Sequence, residues 1–256
     1  MILLEQHEKK KIVAAVFDFD GTLSTLRCGW EAVMEPLMLE CIFGDKYTAE
    51  NQQEVRDYIK DSTGIQTILQ MKWLAARVKQ QGKTPLDPWE YKAEYNRRLM
   101  VNVQKNKADA QAGNADHYIM RGAKQFLASL KEKGIRLYAA SGTDEEDVIK
   151  EAETLGLSSY FEEIAGAKPH SENCSKEATL ERLMAKNHSG LLVVGDGPVE
   201  IRLGKAVGAC TLGICGKEKD LSGFDEVKVQ RLTQAGAHAL VDCFEDVEKI
   251  LTWMEN

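Results

Sequence analysis

Short apolar runs recur along the chain, and helical patterns fill the intervals between them. Ile12 to Phe17 is continuous and apolar, as expected of a strand buried on both faces of a parallel sheet. Similar runs are IRLYAA (135–140), LLVVG (191–195), ACTLGI (209–214) and ALVDCF (239–244), with a weaker one, FEEIAGA, at 161–167. Between them, Ile119, Ala123, Phe126, Leu127 and Leu130 share a helical face that Gly134 ends. Val148, Ile149, Ala152 and Leu155 share another, ended by Gly156. SKEATLERLMAK, the stretch from Pro198 to Gly208, and EDVEKILTWM supply further helices. Strands alternating with helices of this length predict βαβ units, a parallel sheet and an α/β fold.

Residues 25–115 follow a different rhythm. Trp30, Val33, Met34, Leu37, Met38, Cys41 and Ile42 repeat at helical spacing, and so do Ile65, Ile68, Leu69, Leu74 and Val78. Asp61, Ser62 and Thr63 are candidate caps for that second helix. PWEYKAEYNRRLMVNVQKN predicts a third, and KADAQAGNAD reads as a return linker. The expected division is an α/β core of residues 1–24 and 116–256, interrupted after its first strand by an all-helical insert over 25–115.

Composition narrows the function classes. The chain has 256 residues, 43% hydrophobic and 29% charged, with a net charge of -7 and a pI near 5.4. An acidic surface gives no electrostatic reason to expect nucleic acid or an anionic membrane as partner. No stretch approaches the roughly 18 apolar residues of a membrane span, and MILLEQHEKKK is not the pattern of a secretory signal. The six cysteines are scattered without CxxC pairs, so reduced thiols and a cytoplasmic location are expected.

The first apolar run ends in Asp18-Phe19-Asp20-Gly21-Thr22. Residues i and i+2 of a strand point to the same side. Both carboxylates are therefore expected to leave the carboxyl end of the strand together, where open α/β sheets bind ligands. Neighbouring carboxylates repel, so one keeps a proton unless a cation intervenes. One ionised nucleophile beside one protonated acid suits phosphoryl transfer through a covalent intermediate.

DFDGTLS resembles the first signature of the haloacid dehalogenase-like phosphohydrolases, and later segments are similar to the remaining signatures in order. The resemblance is to members with a helical cap of the first type, such as phosphoglycolate phosphatase-like proteins. It implies a Rossmann-like core with an inserted all-α cap, Asp18 as nucleophile and Asp20 as general acid/base. Ser141 and Gly142 in LYAASGT match the phosphate-holding signature. Asp196 in LLVVGDGPVE matches the metal-binding acid, with Glu200 in place of the commoner Asp. Mg²⁺ is implied, held by Asp18, the carbonyl of Asp20 and Asp196, with Glu200 acting through water or holding another ligand in place. For the lysine that neutralises nucleophile and phosphate, Lys176 in CSKEATLERL is preferred and Lys168 in GAKPH is the alternative.

The insert is expected to close over the site and to set specificity, with Arg27, Trp30, Thr63, Gln66 and Gln70 as candidate substrate contacts. Each also has a structural reading: Trp30 in a core stripe, Thr63 as a cap, the glutamines on an exposed face. The implied partner is a small phosphate ester, a sugar phosphate or a phosphoglycolate-like compound, with oligomeric state left open. A phosphomutase and a non-catalytic sugar-phosphate sensor are the alternatives. Asp20 and Asp196 count against a dehalogenase, and Asp20 against a phosphonatase.

Overall fold

The computed structural model describes residues 1–7, 10–168, 175–187 and 190–255, without the side chains of residues 175, 176 and 187. In chain order the strands are β1 (Ile2–Leu3), β2 (Ala14–Phe17), β3 (Arg136–Asp144), β4 (Glu163–Ala167), β5 (Leu191–Gly195), β6 (Cys210–Ile214), β7 (Gly216–Lys217), β8 (Ser222–Phe224) and β9 (Ala239–Val241). The α-helices are α1 (Glu31–Phe43), α2 (Ala49–Asp61), α3 (Thr67–Gln80), α4 (Pro88–Asp109), α5 (Ala123–Glu132), α6 (Glu145–Thr154), α7 (Ser175–Asn187), α8 (Pro198–Ala206), α9 (Glu226–Gln234) and α10 (Val247–Glu255).

β2 lies inside a seven-stranded sheet of order β1-β9-β6-β5-β2-β3-β4, parallel except for the β1–β9 pair. Ala14 to Phe17 stand opposite Arg136 to Ala139 on one side and Leu191 to Val194 on the other. Both faces are covered, which is why the strands read as unbroken apolar runs. Ala15, Phe17, Leu192 and Val194 pack with Phe126, Leu127 and Phe244 on one face. Ala14, Val16, Leu191 and Val193 pack with Leu180 and Leu183 on the other.

α1 to α4 interrupt the fold between β2 and β3 and carry their own core, in which Met34, Met38, Leu74, Tyr91, Leu99 and Val103 are buried together. The chain leaves and returns side by side. Ser24 bridges Ile119, Thr25 N–H donates to Tyr118 O at 2.9 Å, and Met120 N–H donates to Leu23 O at 3.0 Å. Among the described residues no helix is long and apolar enough to cross a membrane. Cys28, Cys41, Cys210, Cys215 and Cys243 are free thiols, and Cys174 lies outside the described residues.

The structure differs from the sequence expectation at several element ends. Residues 107–116 are not an extended linker: α4 runs to Asp109 and helical turns continue to Tyr118, broken at Gly113 with φ 109°. Asp109 pins these turns by accepting from Asn114 Nδ2 at 2.8 Å and Tyr118 Oη at 2.9 Å. Asp61 to Thr63 finish α2 and do not cap α3, whose N-cap is Gln66. The hydroxyls of Ser62 and Thr63 donate backwards, to carbonyls of the last turn of α2. The run at 239–244 is strand only to Val241. β1 and the β7–β8 hairpin are too short to register as periodic patterns.

Candidate active site

The site forms where β2, β3 and β5 end beneath the insert. Asp18 is the first residue past β2, and its N–H donates to Val194 O at 2.8 Å, extending the ladder to β5 by one bond. Asp196 is the first residue past β5. Both are 6% exposed. A tight turn follows Asp18, closed by Leu23 N–H and Ser24 N–H on Phe19 O, each at 2.9 Å. It places the Thr22 hydroxyl 3.2 Å from Asp18 Oδ2 and 3.4 Å from Asp196 Oδ1. One hydroxyl thus joins the two carboxylates. Gly21 has φ +76°, and a Cβ there would lie 2.3 Å from Asp196 Oδ2. Both the backbone conformation and the close approach require glycine.

Asp20 lines the same cleft as Asp18, but its carboxylate turns the other way. Its Oδ2 accepts from Ser141 Oγ at 3.1 Å and from Thr143 Oγ1 at 2.9 Å. Its Oδ1 is buried with no hydrogen bond and lies 3.9 Å from Arg27 Nε. The expected adjacent pair is therefore split, Asp18 toward β5 and Asp20 toward β3. The turn separates what strand alternation would have kept on one side, and each carboxylate has its own partners.

Ser141 Oγ also accepts from Thr143 N–H at 3.0 Å, so this hydroxyl orients Asp20 as well as lining the cleft with Gly142. Thr143 was not singled out in the sequence, though it stands two residues after Ser141 on β3.

Lys228 of α9 also reaches the site. Its Nζ lies 2.8 Å from Asp196 Oδ2 and 2.9 Å from Glu218 Oε1, largely out of solvent. Burial alone would lower its pKa, but Asp196 and Glu218 outweigh burial and hold it above the usual lysine value. Arg231, one turn on, donates to Asp196 O at 3.1 Å and to Thr63 Oγ1 at 3.0 Å. No motif marks this region of the sequence; only the fold brings α9 to the end of β5.

A hard divalent cation fits this corner. Lys228 takes Asp196 Oδ2, while Oδ1 faces Thr22 and Asp18. Two carboxylate oxygens so placed, without a soft donor, suit Mg²⁺, which keeps several waters and needs few protein ligands. Among the described residues no three His, Cys, Asp or Glu side chains group at metal-ligand spacing. Protein donors beyond Asp18 and Asp196 would then be backbone oxygen, such as the Asp20 carbonyl.

Glu200 is not the exposed first-turn residue that helix position alone suggests. It is 3% exposed, and its carboxylate is wedged between Gly64 of the insert and Gly197. A Cβ on either glycine would fall 2.7 Å and 2.4 Å from its oxygens. It supports the 63–65 turn and is not among the residues lining the cleft.

Of the lysines, Lys168 is exposed just past β4 and does not line the cleft. Lys176 opens α7, and its side chain lies outside the described residues.

The insert supplies the roof. Trp30, Thr63, Gly64, Ile65, Thr67, Gln70, Tyr95 and Leu99 line the cleft. Gln66 does not; it is buried at the start of α3. Gln70 is buried rather than on an exposed face, and its Nε2 donates to Ser62 Oγ at 3.1 Å. Arg27 reaches the cleft but is bound to the core. Its Nε and Nη2 donate to Glu151, the shortest contact being 2.7 Å, and Nη2 also reaches Asp147 at 3.3 Å. On α4, Lys92 is ion-paired with Asp144 at the end of β3, and Asn96 Nδ2 donates to the same carboxylate at 3.3 Å. The insert is thus tied down over the strand ends.

Comparison with known proteins identifies the family and the fold. Residues 12–208 match the family described as haloacid dehalogenase-like hydrolase. The chain is 25% identical over 273 aligned positions to the phosphonoacetaldehyde hydrolase of Bacillus cereus, covering 96% of this chain and 97% of the relative. The structure of a phosphonoacetaldehyde hydrolase-like protein from Oleispira antarctica superposes with a TM-score of 0.64 at 15% identity, covering 100% of this chain and 96% of the other. β-Phosphoglucomutase from Clostridium difficile superposes with a TM-score of 0.58 at 18% identity, covering 95% and 97%. The match spans the Asp18 strand, the insert and the Asp196 strand, and the chain belongs to the haloacid dehalogenase-like hydrolases.

Proposed function

We propose that the protein is a Mg²⁺-dependent phosphatase that hydrolyses a small phosphate monoester through an aspartyl-phosphate on Asp18. The observation that carries this reading is the division of labour between the two aspartates. Asp18 faces Asp196 across the Thr22 hydroxyl, while Asp20 is held apart by Ser141 and Thr143 with one buried oxygen left without a hydrogen bond.

In the first half-reaction a carboxylate oxygen of Asp18 bonds to phosphorus as the bond to the leaving oxygen breaks. Asp20 gives that oxygen its proton, and the alcohol departs. In the second, water attacks phosphorus, Asp20 takes back a proton, and the bond to Asp18 breaks to release inorganic phosphate. Ser141 and the N–H of Gly142 hold phosphoryl oxygens, aided by Lys176, with Lys168, exposed and off the cleft, as the less favoured alternative. Bound between Asp18 and Asp196, Mg²⁺ would offset the negative charge that otherwise repels nucleophile and phosphate. The helical insert of residues 25–115 acts as the lid that excludes bulk water.

A screen of phosphate monoesters, with and without Mg²⁺, tests this. Release of phosphate that needs Mg²⁺ and is lost in Asp18→Asn is the expected result. Full activity in Asp18→Asn would remove the covalent mechanism.

The relatives named phosphonoacetaldehyde hydrolases make carbon–phosphorus cleavage the second reading. Heterolysis of that bond leaves a carbanion that needs an electron sink, such as an iminium formed on a lysine. Among the described residues no lysine lines the cleft. Including phosphonoacetaldehyde in the screen separates the two, since its exclusive turnover would replace the phosphatase reading.

A further inference from the structure

The roof of the cleft has a definite chemical character. Trp30, Ile65, Tyr95 and Leu99 give it an apolar and aromatic wall. Thr67 and Gln70 add neutral hydrogen-bonding groups beside it. Tyr95 is 4% exposed, and burial holds its phenol well above the ordinary value, so it stays neutral.

The charged groups around this wall are mostly acidic. Asp18, Asp20, Asp196 and Glu218 line the cleft, the last two paired with Lys228 behind them. Arg27 is the cation among the described lining residues, and it already serves Glu151 and Asp147 while lying 3.9 Å from Asp20. Three carboxylates surround one guanidinium. A second anionic group on the substrate would lose its hydration against this wall and would have to compete with Glu151, Asp147 and Asp20 for Arg27. An uncharged ring or chain would instead cover Trp30 and Tyr95 with its apolar face and turn its hydroxyls toward Thr67 and Gln70.

We infer that the leaving group is a neutral polyhydroxy alcohol, as in a sugar or polyol monophosphate, and that esters bearing a second anionic group are rejected. The inference rests on the phosphatase reading of the site and takes it further by choosing between substrate classes. Specificity is assigned to the wall formed by Trp30, Tyr95 and Gln70, acting on the part of the molecule beyond the phosphate.

Matched pairs of esters test it, each pair differing in one carboxylate: 2-hydroxyethyl phosphate against 2-phosphoglycolate, glycerol 3-phosphate against 3-phosphoglycerate, and glucose 6-phosphate against 6-phosphogluconate. The neutral member of each pair that is turned over should have kcat/KM at least about 10-fold higher. Gln70→Arg, which adds a cation to the wall, should narrow that gap or reverse it. Equal or better turnover of the acidic members by the unaltered protein would overturn the inference. A parallel measurement follows binding of the same esters to Asp18→Asn in the presence of Mg²⁺ by calorimetry. Tighter binding of the neutral members with no turnover of any ester by the unaltered protein would sink the phosphatase reading while keeping the neutral-ligand preference. Turnover with a preference for the acids would do the opposite, and binding of none would sink both.

Discussion

Arg27 and Glu151 form a buried two-pronged ion pair, with Nη2 2.7 Å from Oε1 and Nε 3.1 Å from Oε2. Glu151 has no solvent exposure. Burial pushes its carboxyl above the usual range, against the pull of Arg27. Arg27 lies at the start of the insert, ahead of α1, and Glu151 on α6 of the core, so the pair fixes where the insert begins. Truncating either partner strands a buried charge, and Glu151→Ala should cost about 3–5 kcal/mol. Urea unfolding of Glu151→Ala, Arg27→Met and the double variant carrying both substitutions checks this. The double variant should lose much less than the sum of the singles; additive losses would show that the two groups do not act as a pair.

Lys228 pairs with the carboxylates of both Asp196 and Glu218, while Arg231 donates to the Asp196 carbonyl. Replacing it with Met leaves two carboxylates with less positive charge nearby. Lys228→Met should melt lower than the parent without divalent cation. It should then gain more from Mg²⁺, because a ligand that binds only the folded state stabilises by RT ln(1 + [L]/Kd). Melting curves across a Mg²⁺ titration read this directly. Identical Mg²⁺-induced shifts in the two proteins would count against a cation site at Asp196.

Gly142 touches the roof: a Cβ there would stand 2.9 Å from Ile65 O. The φ of Gly142 lies outside the left-handed region, so Gly142→Ala introduces a clash rather than backbone strain. It should hold the 63–65 turn off the site. A misplacement near 1 Å can lower turnover by about 100-fold, so kcat/KM should fall between about 10- and 100-fold. The melting temperature should move little. An alanine variant with full activity would show that the turn need not approach this closely.

His238 accepts a hydrogen bond from Thr211 N–H at Nδ1, 3.0 Å away. Burial first, and Lys205 second, hold its pKa below the ordinary value. The unfolded chain therefore binds a proton at higher pH than the folded one does. Stability rises with pH between the folded value and about 6.5, and falls as pH drops through that window. Denaturant midpoints at pH 5.5 and 7.5 should differ in this direction. In His238→Asn the difference should shrink; an unchanged difference would assign the pH dependence to other groups.

The strands and their order of use were legible because each buried strand of a parallel sheet is a short unbroken apolar run, and Asp18, Asp20 and Asp196 sit where such runs stop. Ser141 was legible for the same reason. Lys228, Arg231 and Glu218 were not, because no motif marks them; Lys228 and Arg231 meet Asp196 just past β5, and Arg231 meets Thr63 just past α2. The burial of Glu200 was not legible, because helix position says nothing of what folds over it. The Asp61–Thr63 group looked like a helix start because Ser and Thr hydroxyls serve both ends of a helix, and direction is set only once α2 exists. Gln66 and Gln70 looked solvated because residue type is a poor guide where a buried amide finds a partner, as Gln70 does on Ser62.

The side-by-side crossing at Ser24 and Ile119 has a consequence for modularity. Both chain passages meet in one small backbone bridge, so the distance an excised insert would leave is short. A brief turn joining Ser24 to Ile119 would close the core without stretching its sheet. The same proximity means that a different helical bundle with neighbouring ends could be grafted there. The reacting groups would stay fixed by the β2–β5 register, and the roof could be exchanged independently of the chemistry beneath it.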